Sequence, residues 1–368
     1  IRGGMDKPGL LGLGDEIKGV TFVPLEVTTD DASLIDGVYD YAVTDRYIYV
    51  LPVKEPRIVL FDRQGRFIRT LVKEGQGPGE FRGILPCIQV DERNDRLFLF
   101  SNNRVWEYTL EGEFIGQSTH EYSVIYMRHI GKDRFAAISF PFQPFNGGGF
   151  GLGLFSRKGD TIAIKNDFYS FLLPHEKSGF TTSIAPAYSD AQNSVLFKTG
   201  SNDTVFCISA DRISAACVLD LKNSDAEVIR SLDVTDMSNL RIEKKDPKDI
   251  FVQDMIEFPG HYYFRLLYNQ GYYIASVDKK TGKTLVEKCV MPGSIYELAD
   301  ANLQHGMQGT RSYRNFPVWG RVIKDELVQV VTPYELNLYK SLRSITIPQE
   351  LDLKGEEGNP VFVFYSLI

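Results

Sequence analysis

The sequence is poor in the residues that staple a fold, ligate a metal or anchor a chain in a membrane. Four cysteines in 368 residues (Cys87, Cys207, Cys217 and Cys289) are too few for a disulfide scaffold, and no two form a CxxC pair. Cys207 and Cys217 flank one expected hairpin and could face each other across it; the alternative is that they are buried thiols. The five histidines (His120, His129, His175, His261 and His305) show neither HxH nor HExxH spacing, so no metal site is expected. A Gly-x-Ser-x-Gly elbow is missing, as is a Cys with a matching His motif, which removes the usual signatures of nucleophilic hydrolysis. Long apolar runs are missing too. Ile58-Val59-Leu60-Phe61 stops at Asp62, far short of the roughly 20 residues of a spanning helix, so no transmembrane segment is expected in this chain. Positive charge is in deficit, with 41 Lys+Arg against 48 Asp+Glu and a net charge of −7, which argues against a nucleic-acid partner and a polybasic membrane anchor. The chain begins Ile1-Arg2-Gly3-Gly4 without an initiator Met, so the natural N-terminus is expected to have been cut away or replaced, and any signal peptide or lipid anchor would lie upstream of the given sequence.

What the sequence does have is a repeat. With 43% hydrophobic and 24% charged residues it is an ordinary globular chain, long enough to fold without metal, disulfide or cofactor. Phe61-Asp62-Arg63-Gln64-Gly65-Arg66-Phe67-Ile68 is echoed by Tyr108-Thr109-Leu110-Glu111-Gly112-Glu113-Phe114-Ile115 and by Phe155-Ser156-Arg157-Lys158-Gly159-Asp160-Thr161-Ile162, with the glycines 47 residues apart. In each copy a β-rich run enters, a polar turn with Gly follows, and a second run leaves, as in a hairpin. Two more strand-like runs precede each hairpin, and four strands at this period make a propeller blade. A fourth unit runs from about Thr182 to Leu221 and a fifth from Phe251 to Cys289. Three last strands (Val318 to Ile323, Leu327 to Val331, Val361 to Leu367) lack a fourth, which Val20 to Val27 can supply from the other terminus. The expectation is an all-β, six-bladed β-propeller of four antiparallel strands per blade over residues 20–368, closed by the N-terminal strand, with residues 1–19 as an extension. A seven-bladed ring would need strands in 222–250 or 290–317, where Ser224-Asp225-Ala226-Glu227 reads as a capping box and Asn302 to Asn315 is rich in Gly, Gln and Arg.

Three phrases carry a likeness to a known family: Ile58 to Gly65, Gly75-Gln76-Gly77-Pro78-Gly79-Glu80-Phe81, and the closing Gly358-Asn359-Pro360-Val361-Phe362. The chain resembles the six-bladed, NHL-like β-propellers of Bacteroidetes, many of them exported lipoproteins of unknown function. The resemblance implies the fold and a place in the cell envelope, in the periplasm or as an outer-membrane lipoprotein; it implies no activity.

Candidate chemistry is sparse. The Gly75 to Gly79 loop lacks the Gly-Lys-Ser/Thr ending of a phosphate cradle, so it is read as a rigid crossover between blades. Asp91, Glu92 and Asp95 are read as a solvated hairpin tip. Asp254 and Glu257 share one inner strand, either facing the channel as an acid pair or solvated by channel water. Most of the 24 Phe belong to blade packing; Phe142, Phe145, Tyr169, Tyr313 and Trp319 instead fall in long polar loops.

Antiparallel order places the turns between strands one and two, and between three and four, on one face of the disc, and here those turns are short. The longer insertions, Pro141 to Gly149, Asn166 to Phe180, Lys222 to Ile250, Met291 to Pro317 and Thr332 to Pro360, fall on the other face. Thr332-Pro333-Tyr334-Glu335 predicts a capped helix through about Leu342 on that loop-rich face. The expected function is therefore a non-catalytic binding module, monomeric, that recognises a glycan, peptide or protein partner there. Its expected ligand-binding residues are Phe142, Phe145, Arg311, Tyr313, Arg314 and Trp319. The alternative is a lyase or hydrolase acting in the central channel through Glu257, Asp254, His261 or His305.

Overall fold

The computed structural model describes residues 17–29, 32–83, 87–101, 103–120, 124, 126–138, 151–165, 187–191, 193–198, 203–221, 250–268, 271–289, 321–341 and 358–368. The first strand, β1 (Ile17–Pro24), belongs to the last blade. Blade 1 is β2 (Val38–Val43), β3 (Tyr47–Pro52), β4 (Arg57–Asp62) and β5 (Phe67–Lys73). Blade 2 is β6 (Cys87–Asp91), β7 (Arg96–Ser101), β8 (Arg104–Tyr108) and β9 (Phe114–Thr119). Blade 3 is β10 (Tyr126–His129), β11 (Arg134–Ile138), β12 (Leu152–Ser156) and β13 (Thr161–Lys165). Blade 4 is β14 (Ala187–Ala191), β15 (Ser194–Lys198), β16 (Thr204–Ser209) and β17 (Ile213–Val218). Blade 5 is β18 (Ile250–Glu257), β19 (His261–Tyr268), β20 (Gly271–Asp278) and β21 (Thr284–Cys289). Blade 6 is β22 (Arg321–Ile323), β23 (Glu326–Val331) and β24 (Val361–Leu367), with the helix α1 (Pro333–Ser341) between the last two. β1 completes it in the order β1-β24-β23-β22, Val20 opposite Tyr365 and Phe22 opposite Val363. Every described strand falls in one of these six antiparallel sheets, so the chain is a six-bladed propeller closed by its N-terminal strand. That strand begins at Ile17, three residues before the run read from the sequence.

The middle strands explain the apolar runs. A blade is covered on both faces by its neighbours, so successive residues of β4 feed opposite interfaces: Ile58 and Leu60 pack towards blade 2, Val59 and Phe61 towards blade 6. Outermost strands such as β9 are instead mostly exposed. The repeated outer-turn glycine has two jobs. Gly65 has φ +80°, and a Cβ there would lie 2.2 Å from the carbonyl oxygen of Pro24 at the end of β1. Gly112 packs likewise on Leu71 and Gly159 on the carbonyl of Thr119, so these three turns dock on the outer strand of the preceding blade. The residue two positions earlier reaches across as well. Arg63 pairs with Glu326 at 2.7 Å and lies 4.1 Å over Phe364, while Arg157 pairs with the buried Glu107.

The two remaining family-like phrases are also structural. Asn359 is buried, and its side-chain amide accepts from the Ile35 amide at 2.7 Å and donates to the carbonyls of Glu26 (2.7 Å) and Ser33 (2.8 Å), tying the last strand to the first crossover. In the Gly75–Gly79 loop the amide of Gly77 is held at 2.7 Å by the carboxylate of Glu80, and Phe81 is fully buried between blades 1 and 2. The amide an anion would need is taken by the chain's own side chain, as expected of a rigid crossover.

Candidate functional site

The innermost strands β2, β6, β10, β14, β18 and β22 surround the axis. Where they turn into the second strands, a funnel of about 980 Å³ opens, lined by residues of blades 1, 2, 3, 4 and 6. Its wall is a belt of hydrogen bonds from blade to blade. The Asp40 carboxylate is buried; it takes the guanidinium of Arg321 from blade 6 at 2.5 Å and the amide of Ile88 from blade 2 at 2.6 Å. The carbonyl of Ile88 accepts from Arg128 of blade 3 at 2.7 Å, and Gln89 exchanges both amide hydrogen bonds with His129. Arg321 also donates to the Tyr41 carbonyl at 2.9 Å, with its guanidinium 4.8 Å over the Tyr41 ring. Nearer the mouth, Lys324 of blade 6 clamps Asp45 and Glu92 of blades 1 and 2, while the more exposed Lys132 and Asp211 pair at 3.1 Å between blades 3 and 4.

The mouth has a backbone peculiarity. The non-glycine residues with positive φ among those described are Asp95 (53°), Lys132 (50°), Asp133 (53°), Asn193 (63°) and Lys324 (55°). All five sit in inner-strand turns, and Lys132, Asn193 and Lys324 line the funnel beside Gly131 (82°), whereas the outer turns meet the same demand with glycine alone, at Gly65, Gly112, Gly159 and Gly282. A side-chain-bearing residue in this conformation costs on the order of 1 kcal/mol relative to glycine. The inner turns thus retain polar side chains where glycine would be easier. Among the described residues no three His, Cys, Asp or Glu side chains gather as a metal site.

The family model described as Domain of unknown function (DUF4934) matches residues 1–366. The chain belongs to the DUF4934 family. The crystal structure of a Bacteroides fragilis protein, provisionally described as exported, matches this DUF4934 chain with a TM-score of 0.70 at 15% identity, covering 98% of both chains. A Bacteroides thetaiotaomicron protein of unknown function is more distant, with a TM-score of 0.37, 11% identity and coverage of 75% of this chain and 62% of that one. These likenesses concern the fold alone. No functionally curated protein matches the DUF4934 chain.

Of the residues singled out in the sequence of this DUF4934 protein, Phe142, Phe145, Tyr169, His305, Arg311, Tyr313, Arg314 and Trp319 lie outside the described residues. The helix after Thr332 forms with its capping box: the Thr332 hydroxyl accepts from the Glu335 amide at 3.1 Å, and the Glu335 carboxylate accepts from the Thr332 amide at 2.6 Å. Asp254 and Glu257 do not form an acid pair. A separation of three puts them on opposite faces of β18, Asp254 opposite Arg265 (3.4 Å) and Glu257 on Lys279. Burial pushes the Asp254 carboxyl up to about 7 in spite of that guanidinium. His261 stands at the start of β19 and faces Asp278 at 3.7 Å. Cys207 and Cys217 are not directly opposed: Cys207 faces Ser214, Cys217 faces Val205, and both thiols are free. Sequence reasoning missed Asp40, Arg128 and Arg321, whose partners come from other blades.

His120, between blades 2 and 3, predicts an acid response. Its ring is buried against the edges of Phe135 (6.1 Å) and Phe155 (5.5 Å), and neither nitrogen has a hydrogen-bond partner among the described residues. Burial therefore holds its pKa below the usual imidazole value. With the folded value depressed, the contribution to stability is complete above about pH 6.5 and is lost as the pH falls through the folded value. Between about pH 6.5 and 5 the thermal midpoint of the native protein should fall more than that of His120→Phe. Parallel curves would assign the acid sensitivity to other groups.

Proposed function

We propose that this DUF4934 chain is a non-catalytic recognition propeller that holds a glycan, peptide or protein segment at the mouth of its axial funnel. The observation that carries the reading is the funnel itself, whose mouth presents Lys132, Asn193 and Lys324 from left-handed turns that glycine enters more easily. The volume suits an oligosaccharide or a peptide loop, and the interblade belt supplies hydrogen-bonding groups already fixed in place. A channel lyase or hydrolase has less support, because Asp254 and Glu257 are each turned to their own cation. A second reading keeps recognition on the loop-rich face, through Phe142, Phe145, Arg311, Tyr313, Arg314 and Trp319; the capped helix α1 in the connection on that side favours it. We also place the protein in the cell envelope, a reading supported by the provisionally exported relative, and take it to act as a monomer.

The test exploits the backbone. Glycine tolerates the left-handed turn, so the double variant Lys132→Gly, Asn193→Gly should keep its thermal midpoint within a few degrees while losing two side chains of the funnel mouth. Against a partner found on a glycan array or in a peptide library, binding should weaken by at least about tenfold, or 1.4 kcal/mol. Unchanged binding in this variant, with loss in the triple variant Arg311→Ala, Arg314→Ala, Trp319→Ala, would move the site to the other face.

A further inference from the structure

Blades 4 and 5 meet through an apolar cluster that includes Leu196, Val205, Met255 and Phe264, and two thiols sit on its border. Cys207 is on β16 and Cys217 on β17. Both are half-buried and both pack against this cluster, so both side chains face blade 5. The register sets their separation. Cys217 is opposite Val205, two residues from Cys207 along β16, with a bulge between, so the two cysteines are diagonal neighbours on one face. Diagonal neighbours have Cα atoms about 7–8 Å apart. A disulfide usually needs a Cα separation of about 4.4–6.8 Å, so the strand pairing disfavours one here. A cation with two thiolate ligands at about 2.3 Å each holds its sulfurs about 4.6 Å apart, which side-chain rotation from a diagonal pair can reach.

We propose that Cys207 and Cys217 form a two-coordinate site for a soft monovalent d10 cation, copper(I) or its analogue silver(I), at the junction of blades 4 and 5. Soft thiolate ligands select such ions over magnesium, calcium or manganese. Binding forms two metal–sulfur bonds and releases both thiol protons, so two neutral thiols and one monovalent cation give a singly anionic complex and two protons. The nearest charge to the pair is the Glu257 carboxylate, which Lys279 offsets: Lys279 pairs with Glu257 and lies 4.8 Å over the ring of Tyr262, which packs on the same cluster as the thiols. Burial and then the Glu257 carboxylate push the Cys217 thiol up to about 11, and burial raises that of Cys207, so both are protonated until a metal displaces the protons.

The test is titration of the full-length reduced protein with silver(I), and with copper(I) buffered by a chromogenic chelator, read by native mass spectrometry and chelator competition. One tight equivalent is expected. Cys207→Ser and Cys217→Ser should each weaken it by at least about 100-fold, or 2.7 kcal/mol, because each removes one of two ligands. Cys87→Ser and Cys289→Ser should leave it unchanged. Cys→Ala variants at 207 and 217, with circular dichroism matching the parent, separate lost ligation from lost folding. The proposal is overturned if the parent binds no tight equivalent, if a single variant at 207 or 217 retains it, if Cys87 or Cys289 is required, or if peptide mapping of unreduced protein finds Cys207 joined to Cys217.

Discussion

Deleting residues 1–28 should lower the thermal midpoint by well over 10 °C or leave the chain unable to fold. The deletion removes β1, the whole outer strand of blade 6, and with it the ladder from Val20–Tyr365 to Pro24–Val361. It also removes Val23 and Leu25 from the cluster shared by blades 6 and 1, each a burial worth about 1.5–3 kcal/mol. The edge left behind is β24, a run of Val361 to Tyr365 that is buried in the intact ring and would become an unpaired apolar strand, prone to self-association. Asn359→Leu tests the same closure without shortening the chain. It strands the Ile35 amide and the carbonyls of Glu26 and Ser33, and each buried unpaired group costs about 1–3 kcal/mol. The two effects should not add fully, because the Glu26 carbonyl disappears with the deletion. Scanning calorimetry on the parent and the two variants decides the matter; an unchanged midpoint in the deletion would mean that the ring closes without β1.

The blades were legible because their signals are local. Ile58 to Phe61 reads as a strand covered on both faces, Gly65, Gly112 and Gly159 mark turns that demand positive φ, and Thr332 with Glu335 spells its own cap. The composite blade followed from a missing strand at one end and a spare at the other. The funnel was not legible, for two physical reasons. Its belt joins residues far apart in sequence, such as Asp40 to Arg321, and nothing in either neighbourhood announces the partner. Its mouth includes turns such as those at Asn193 and Lys324-Asp325, which lack the glycine that flags a left-handed hairpin. The acid pair was a different kind of miss: strand alternation already separates positions 254 and 257.

Asp40→Ala should be the most damaging single substitution in the funnel, with a loss of about 3–5 kcal/mol. The carboxylate is 1% exposed and holds three donors from three blades: its neighbour amide of Tyr41 at 2.9 Å, the Ile88 amide and the Arg321 guanidinium. Alanine leaves the buried Ile88 amide without an acceptor and loosens a guanidinium from the wall where blades 6 and 1 meet. Much of the loss is the penalty for those abandoned groups rather than the strength of the pair, so a second substitution should repair part of it. Arg321→Leu in the Asp40→Ala background is expected to be less harmful than Arg321→Leu alone, a coupling of 1 kcal/mol or more on the scale of about 0.5–3 kcal/mol seen for residues in one network. Asp40→Asn should fall between, because its amide still accepts from Ile88 but no longer carries the charge that faces Arg321. Denaturant unfolding measures the cycle, and hydrogen exchange at the Ile88 amide reports the belt directly. Protection at Ile88 that survives Asp40→Ala, or a cycle that is additive, would show that the blades around the axis are held by apolar packing alone and that the funnel wall is not a coupled unit.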